Sequence, residues 1–281
     1  MNLTITTYEP DNSLKKGYLS IFRDILSELN RNRWLTQQLF KRNFLAMYKQ
    51  SFIGIFWAIL LPLISVGTFI ILNRSGIFSV GDIGVPYPIY AVLGIAFWQI
   101  FSTGLIASSN SLVLAGPMIV KINFSKKSLV IASAAQSIIS FLIQFILVCI
   151  LFICYSYLPN IKILFFPILL IPLILITLGL GFILSLLNGI FRDIGNILSI
   201  LVTFLMFLTP VLYAKPKIGI LAPITRYNPL YYLISAPRDL ILTGAIPEWK
   251  GFLVASIISF VVFIVCLVGF HLTETRVAER I

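Results

Sequence analysis

The chain has 281 residues, of which 59% are hydrophobic and only 11% are charged, and its mean hydropathy is +1.00. Soluble globular proteins are about half apolar and about a quarter charged, so one soluble core could not bury this much apolar surface. The net charge is +11. Because no cluster of basic and aromatic residues marks a nucleic-acid-binding module, we expect the basic residues to lie at an anionic membrane face.

Six charge-poor runs follow one another along the chain, each about the 20 residues needed to cross roughly 30 Å of hydrocarbon. They lie at 52–72, 87–107, 129–155, 163–187, 197–213 and 252–272. Backbone groups in lipid must find hydrogen bonds within the segment, which predicts helices. The sequence therefore predicts an all-α, polytopic membrane protein with six transmembrane helices.

The distribution of lysine and arginine predicts the orientation. These residues are about twice as frequent on the side that holds both termini as on the opposite side, which predicts that both termini are cytoplasmic. We divide the chain into a cytoplasmic N-terminal region (1–50), a transmembrane domain (51–273) and a cytoplasmic tail (274–281).

The N-terminal region carries apolar residues at helical spacing, with charged residues between them. The apolar residues are Leu19, Phe22, Leu26 and Leu29, and the charged ones are Arg23, Asp24 and Glu28. This pattern predicts an amphipathic helix on the membrane surface. A helix packed against a partner protein is an alternative that the pattern leaves open.

The connection between the fifth and sixth runs, residues 214–250, is too apolar for an ordinary loop. Asn228 followed by Pro229 is typical of a helix cap and first turn. The apolar residues that follow are interrupted by Pro237. We expect two short re-entrant helices here, which are tolerated in a membrane only where protein or a water-filled cavity covers them.

Residues for catalysis are scarce. His271 is the one histidine of the chain, and all three cysteines, Cys149, Cys154 and Cys266, lie in apolar runs. No combination of histidine, cysteine and carboxylate has metal-ligand spacing, and no phosphate-binding loop occurs. We expect no enzyme, no metal and no cofactor in this chain, so any ATP must be bound by another polypeptide.

Two helix faces in the membrane domain are candidates for a substrate pathway. In the third run three hydroxyls and an amide share a face: Ser133, Ser137, Ser140 and Gln144. In the second run aromatic residues share a face, namely Tyr90, Phe97 and Phe101, with Trp98 nearby. Such faces suit a conduit for sugar rings. The explanation that we favour is close helix packing, or, for the aromatic residues, an interfacial belt.

Five segments carry a resemblance to a known family. Residues 47–63, MYKQSFIGIFWAILLPL, resemble the opening signature of polysaccharide-export permeases of ATP-binding-cassette (ABC) transporters. Segments 117–133, 191–198, 209–213 and 228–242 agree in the same order. Met47 and Asn43 depart from the family pattern, where Arg and Asp are frequent.

The resemblance implies a homodimer of six-span subunits with two separate nucleotide-binding subunits that use ATP and Mg. It implies a coupling helix at 114–127, whose contact residues for the ATPase subunit would be Pro117, Met118, Lys121 and Phe124. It also implies an outer gate at about 216–247, with Tyr227, Asn228, Tyr231, Tyr232 and Arg238 as its candidate residues.

The family exports lipid-linked O-antigen, capsular polysaccharide or teichoic acid. The resemblance thus predicts a permease subunit in the bacterial cytoplasmic membrane, with O-antigen as the expected cargo. Candidate pathway residues are Tyr90, Phe97, Trp98, Phe101, Ser137, Ser140 and Gln144. The alternatives are an exporter of capsule or teichoic acid, an exporter of small molecules, and a membrane-embedded transferase of the same pathway.

Overall fold

The computed structural model describes residues 18–49, 54–75, 83–116, 125–216 and 218–278, and these are helical apart from turns and short connections. The α-helices are α1 (Tyr18–Arg31), α2 (Arg33–Lys49), α3 (Trp57–Arg74), α4 (Tyr87–Leu114), α5 (Lys126–Cys154), α6 (Phe166–Ile190), α7 (Asp193–Leu208), α8 (Leu221–Tyr227), α9 (Pro229–Thr243) and α10 (Trp249–Ala278). Short 3₁₀ turns at Gly54–Phe56 and Ile161–Phe165 precede α3 and α6.

Among the described residues, four helices are long and apolar enough to cross a membrane. They are Tyr87–Leu114, Lys126–Cys154, Ile161–Ile190 and Trp249–Glu274. They match the second, third, fourth and sixth predicted runs, which confirms an all-helical, multi-pass membrane protein. Helix α7 is apolar but only 16 residues long. The count of six spans therefore stays a prediction.

Helix α4 is the centre of the bundle, with α5 and α6 packed along it. Its residues are buried on every side, because its neighbours approach closely at small residues. A Cβ atom on Gly104 would lie 2.9 Å from Ser137 Oγ of α5 and 2.9 Å from a methyl group of Thr177 of α6. Small residues at such crossings allow helices to pack tightly in a membrane, where dispersion contacts replace the hydrophobic effect.

Helix α1 packs on the bundle through a face different from the predicted one. Ile21 and Ile25 are buried against Leu112 at the end of α4 and Phe270 of α10. Phe22 and Leu26, which the sequence assigned to the membrane-facing side, are exposed. The helix therefore carries apolar residues on both sides, one packed on the bundle and one exposed, and the membrane contact of the exposed side stays a prediction.

The short helices α8 and α9 form most of the connection before the last helix. The predicted cap is present: the Asn228 side chain accepts a hydrogen bond from the Leu230 N–H at 3.0 Å, and Pro229 is the first residue of α9. Helix α9 continues through Pro237, so the chain breaks at Asn228 and not at the proline. It ends at Gly244, whose φ of 74° favours glycine.

The connection between α5 and α6 holds the far end of α9. The Tyr157 hydroxyl donates to the Leu242 carbonyl at 2.7 Å, and Lys162 Nζ donates to the Gly244 carbonyl at 2.8 Å. These bonds satisfy carbonyl groups that a helix end leaves without partners. Helix α9 is thus fixed to the bundle at its end as well as along its buried face.

Candidate functional site

The aromatic face of α4 lies inside the subunit. Tyr90, Phe97, Trp98 and Phe101 are all buried. The Phe97 ring stacks on Phe141 of α5 with 5.6 Å between centroids, and Trp98 lies 5.4 Å from Phe101. In this conformation protein side chains occupy the space around these rings. Their part in a substrate pathway stays a prediction.

The hydroxyl and amide face of α5 is buried in the same core, and its members differ in hydrogen bonding. Ser137 donates to the Ala134 carbonyl at 2.8 Å, and Ser140 donates to the Gln136 carbonyl at 3.4 Å. Gln144 is 0% exposed, and neither atom of its amide has a hydrogen-bond partner among the described residues. The two serine hydroxyls are hydrogen-bonded within their own helix. Burying the glutamine amide without a hydrogen bond costs about 1–3 kcal/mol of stability.

Arg238 of α9 is the central residue at one end of the bundle. It is 2% exposed, and its Nη1 donates to the Val211 carbonyl at 3.1 Å. Its guanidinium carbon lies 3.9 Å above the Tyr90 ring, whose hydroxyl donates to the Tyr213 carbonyl at 3.1 Å. Asp239 Oδ1 lies 3.7 Å from the Arg238 Nε. We call these groups the Arg238 cluster.

The Arg238 cluster ties three elements together: α9, the beginning of α4 and the segment that follows α7. A buried cation over an aromatic ring contributes about 2 kcal/mol when it is desolvated. Gly94 of α4 permits the approach, because a Cβ atom there would overlap the Val211 carbonyl oxygen. Moving α9 therefore requires the guanidinium to leave both the ring and the carbonyl.

A second polar group lies beside it, formed by Lys215, Tyr231 and Glu248, which we call the Glu248 cluster. Lys215 Nζ lies 2.7 Å from each oxygen of Glu248, and the Tyr231 hydroxyl donates to Glu248 at 3.1 Å. The ammonium also lies 5.0 Å from the Tyr231 ring centroid. Burial, together with the Glu248 charge, raises the pKa of Tyr231, so its hydroxyl keeps the proton that it donates.

Some of the predicted gate residues form hydrogen bonds within the protein, and one is exposed. Asn228 caps α9 and donates to the Thr209 hydroxyl at 2.8 Å. Tyr232 donates to the Arg226 carbonyl at 2.8 Å, whereas Tyr227 is 82% exposed. Tyr231 belongs to the Glu248 cluster, and Arg238 belongs to the cluster named after it.

Lys215 and Glu248 were not among the predicted site residues. Each stands at one end of a long apolar connection, and their opposite charges were the signal that could have paired them.

The opposite end of the bundle holds a buried ion-pair group, which we call the Lys127 cluster. Lys127 of α5 is 0% exposed; its Nζ donates to Glu28 of α1 at 2.8 Å and also to Glu274 of α10. His271 Nδ1 lies 3.3 Å from Glu274 Oε1. Burial opposes ionisation of Glu28, but the hydrogen bond and charge of Lys127 outweigh it and lower its pKa. The cluster joins the first helix, the beginning of α5 and the last helix.

Three side chains of the Lys127 cluster have the chemistry of metal ligands. Single ligand atoms of Glu28, His271 and Glu274 lie within 4.8 Å of one another. Lys127 already bonds both carboxylates, and its positive charge opposes a metal ion there. The arrangement acts as an ion-pair group that fixes α1.

An amide group fixes the beginning of α7. Asn188 Nδ2 donates to Asn110 Oδ1 at 2.9 Å and to the Ser109 carbonyl at 3.1 Å, and Asn188 Oδ1 accepts from the Gly195 N–H at 3.0 Å. These bonds join α4, α6 and α7 without any charged side chain. The sequence analysis did not identify them, since the two asparagines are 78 residues apart.

The sequence profile of the ABC-2 type transporter family matches residues 35–242. The chain belongs to this family. Membership confirms the prediction of a transporter permease. The matched range contains the Arg238 cluster and Lys127, whereas Glu28, Glu248, His271 and Glu274 lie outside it.

Characterised relatives agree with the resemblance to polysaccharide-export permeases. The chain is 25% identical over 264 residues to the O-antigen export system permease protein RfbA of Myxococcus xanthus, covering 92% of this chain and 99% of the relative. Two RfbA proteins of Klebsiella pneumoniae are 26% identical over 235 and 238 residues, each covering 83% of this chain and 89% of the relative.

The four candidate contacts of this ABC-2 permease with an ATPase lie outside the described residues. They are Pro117, Met118, Lys121 and Phe124. The described structure reaches this segment from both sides, with α4 ending at Leu114 and α5 beginning at Lys126. Lys127, the last residue of the predicted coupling segment 114–127, therefore lies both in that segment and in the first turn of α5.

Proposed function

We propose that this chain is the permease subunit of an exporter that moves lipid-linked O-antigen polysaccharide across the bacterial cytoplasmic membrane. The observation that carries the proposal is the match, over most of both chains, to three O-antigen export permeases. ATP hydrolysis would occur in a separate nucleotide-binding subunit, since family membership implies one. The three relatives share this one cargo name, which favours O-antigen over capsule and teichoic acid.

The assembly we propose is a homodimer of six-span subunits with both termini in the cytoplasm. In this topology residues 1–50 and 274–281 lie on the cytoplasmic side, and α3 and α7 complete the six spans. One face of α7 supports a contact with a second copy, because it is apolar and exposed in the single subunit. Its exposed residues include Ile197, Ile200, Phe204 and Phe207.

The transport cycle we propose links the two ends of the bundle. Nucleotide-driven motion of the segment 114–127 would reach α5 at Lys127, which is bonded to α1 and α10. At the other end, α8 and α9 would act as a gate held by the Arg238 and Glu248 clusters. Pathway residues on α4 and α5 would become accessible only when these helices separate, since they are buried in this conformation.

The cargo is tested by deleting the chain and analysing both surface and intracellular glycans. We expect surface O-antigen to disappear and its lipid-linked form to accumulate inside the cell, with both effects reversed by complementation. Normal O-antigen together with the loss of capsule or teichoic acid would replace the cargo assignment. ATP hydrolysis by the purified chain without a partner would contradict the division of labour.

The ATPase contact is tested by the substitutions Lys121→Glu and Phe124→Ala. We expect each to lower export while the protein level in the membrane stays unchanged, because only a contact with the ATPase would be lost. Lys250→Glu, an exposed charge reversal at the start of α10, is the control. Normal export in both test variants would contradict the assignment.

A further inference from the structure

Two cavities lie next to each other along α5. The first, of about 350 Å³, lies between α2 and α5, and the second, of about 90 Å³, lies among α4, α5 and α6. Ile131 and Ala135 line both, so the two spaces share one wall. We call the two together the α5 groove.

The first cavity has a polar mouth. Arg33, Thr36 and Gln37 of α2 line it. Arg33 is exposed, and among the described residues its guanidinium has no carboxylate within ion-pair distance. A guanidinium offers several N–H donors in a planar fork that matches a phosphate group, and the exposed Gln37 amide adds donors beside it.

The second cavity is apolar. Its walls include Ile138 of α5 and both Ile174 and Leu178 of α6. Along α5, Ala135 follows the first helical residue by about 14 Å, and Ile138 lies about 10 Å beyond Ile131, at 1.5 Å per residue. The groove therefore runs from a cationic mouth near a helix end into the depth of a membrane-spanning bundle. At that depth the surrounding molecules are lipids.

We propose that the α5 groove binds an anionic phospholipid, with the phosphate at Arg33 and Gln37 and one acyl chain along Ile131 and Ala135 toward Ile174. Charge complementarity selects the headgroup, because a guanidinium with no carboxylate partner among the described residues attracts anionic lipid headgroups. The apolar second cavity selects a hydrocarbon chain. The bound lipid fills the space between α2 and α5. The inference depends on the chain's place in a membrane and not on the cargo.

The test is native mass spectrometry of the full-length chain, purified with its partner subunit, after exchange into phosphatidylglycerol or phosphatidylcholine with identical acyl chains. We expect retention of phosphatidylglycerol, and we expect Arg33→Gln to weaken it roughly tenfold, since it removes a charged hydrogen-bond donor. Arg31→Gln, an exposed change at the end of α1, is the matched control. Equal retention of both lipids by the unaltered chain would overturn the proposal.

The acyl-chain position is tested separately by Ala135→Trp, with Ala135→Leu as a smaller variant should the first not fold. We expect either substitution to reduce lipid retention, because the larger side chain would extend into the two cavities that Ala135 lines. Ile146→Trp on the exposed side of α5 is the control. Unchanged retention in a folded Ala135 variant would exclude this position. Displacement of phosphatidylglycerol by equimolar polyprenyl phosphate would make the cargo carrier the occupant and overturn the phospholipid assignment.

Discussion

Arg238 is one buried side chain whose contacts hold α9 against α4 and the segment after α7. Lysine keeps the charge but lacks the planar group that lies over the Tyr90 ring and reaches the Val211 carbonyl. We therefore expect Arg238→Lys to lower the free energy of unfolding by about 2–3 kcal/mol. Tyr90→Phe should cost only about 1 kcal/mol, since it removes one hydrogen bond and keeps the ring. Thermal unfolding in detergent measures both; equal midpoints for Arg238→Lys and the unaltered chain would refute the stacking role.

Lys127 is the corresponding residue at the other end. Lys127→Met would leave Glu28 and Glu274 facing each other without their cation, and breaking such a buried pair costs about 3–5 kcal/mol. We expect α1 to separate from the bundle, which limited proteolysis within Tyr18–Arg31 would detect.

Two further variants complete the Lys127 test. Adding Glu28→Gln and Glu274→Gln to Lys127→Met should restore much of the stability, because no uncompensated charge remains. Lys41→Met, at an exposed site on α2, is the control for loss of a lysine. Protection of α1 in the single variant equal to that in the unaltered chain would show that the apolar contacts of Ile21 and Ile25 suffice.

At the scale of helices, the sequence could predict those features that depend on the local pattern of residues. Run length and hydropathy predicted the long helices, and Asn228–Pro229 predicted the start of α9. The continuation of α9 through Pro237 was not predictable, because a proline inside a helix removes a backbone hydrogen bond and usually ends or kinks the helix, whereas this one is buried within a continuous helix. The Lys127 cluster was also out of reach, since its partners lie 99 and 147 residues away in sequence.

Asn228 has two separable roles at the start of α9. Its Oδ1 caps the helix, and its Nδ2 donates to Thr209. We expect Asn228→Asp to keep the cap, while its second oxygen accepts from the Thr209 hydroxyl, and Asn228→Ala to lose both contacts, with a cost of about 1 kcal/mol for the cap alone. Chemical denaturation of the two variants compares them. Identical stability of the two variants would mean that neither contact of this side chain stabilises the protein.

At the scale of the whole molecule, the described helices form a mainly apolar core with a polar cluster at each end. Helix α4 is 28 residues long, about 42 Å, and it reaches from the Arg238 cluster to the contacts of α1. The helical membrane architecture followed from composition and from the length of the apolar runs. The burial of the aromatic and hydroxyl faces did not, because a helix face that suits a pathway also suits packing, and only the arrangement of neighbours distinguishes them.

The Glu248 cluster provides a test of gating by the whole subunit. Lys215→Glu and Glu248→Lys should each lower export, since like charges would then meet beside Tyr231. The double exchange should restore export to a large fraction of normal, because the pair is re-formed with its signs reversed. Surface glycan per permease molecule is the measurement, and membrane levels of the variants are the control. If the double variant exported no more glycan than the single variants, Lys215 and Glu248 would not act as a pair in gating.

The contacts of Asn228 with Thr209 and of Arg238 with Val211 have a consequence for recombination between relatives. Segments 209–213 and 228–238 are separate in the chain, yet each completes the hydrogen bonds of the other. A hybrid of two relatives with a crossover between them would pair side chains from one parent with a backbone shaped by the other. When segments are exchanged between relatives to change the cargo, residues 209–238 should therefore be transferred together.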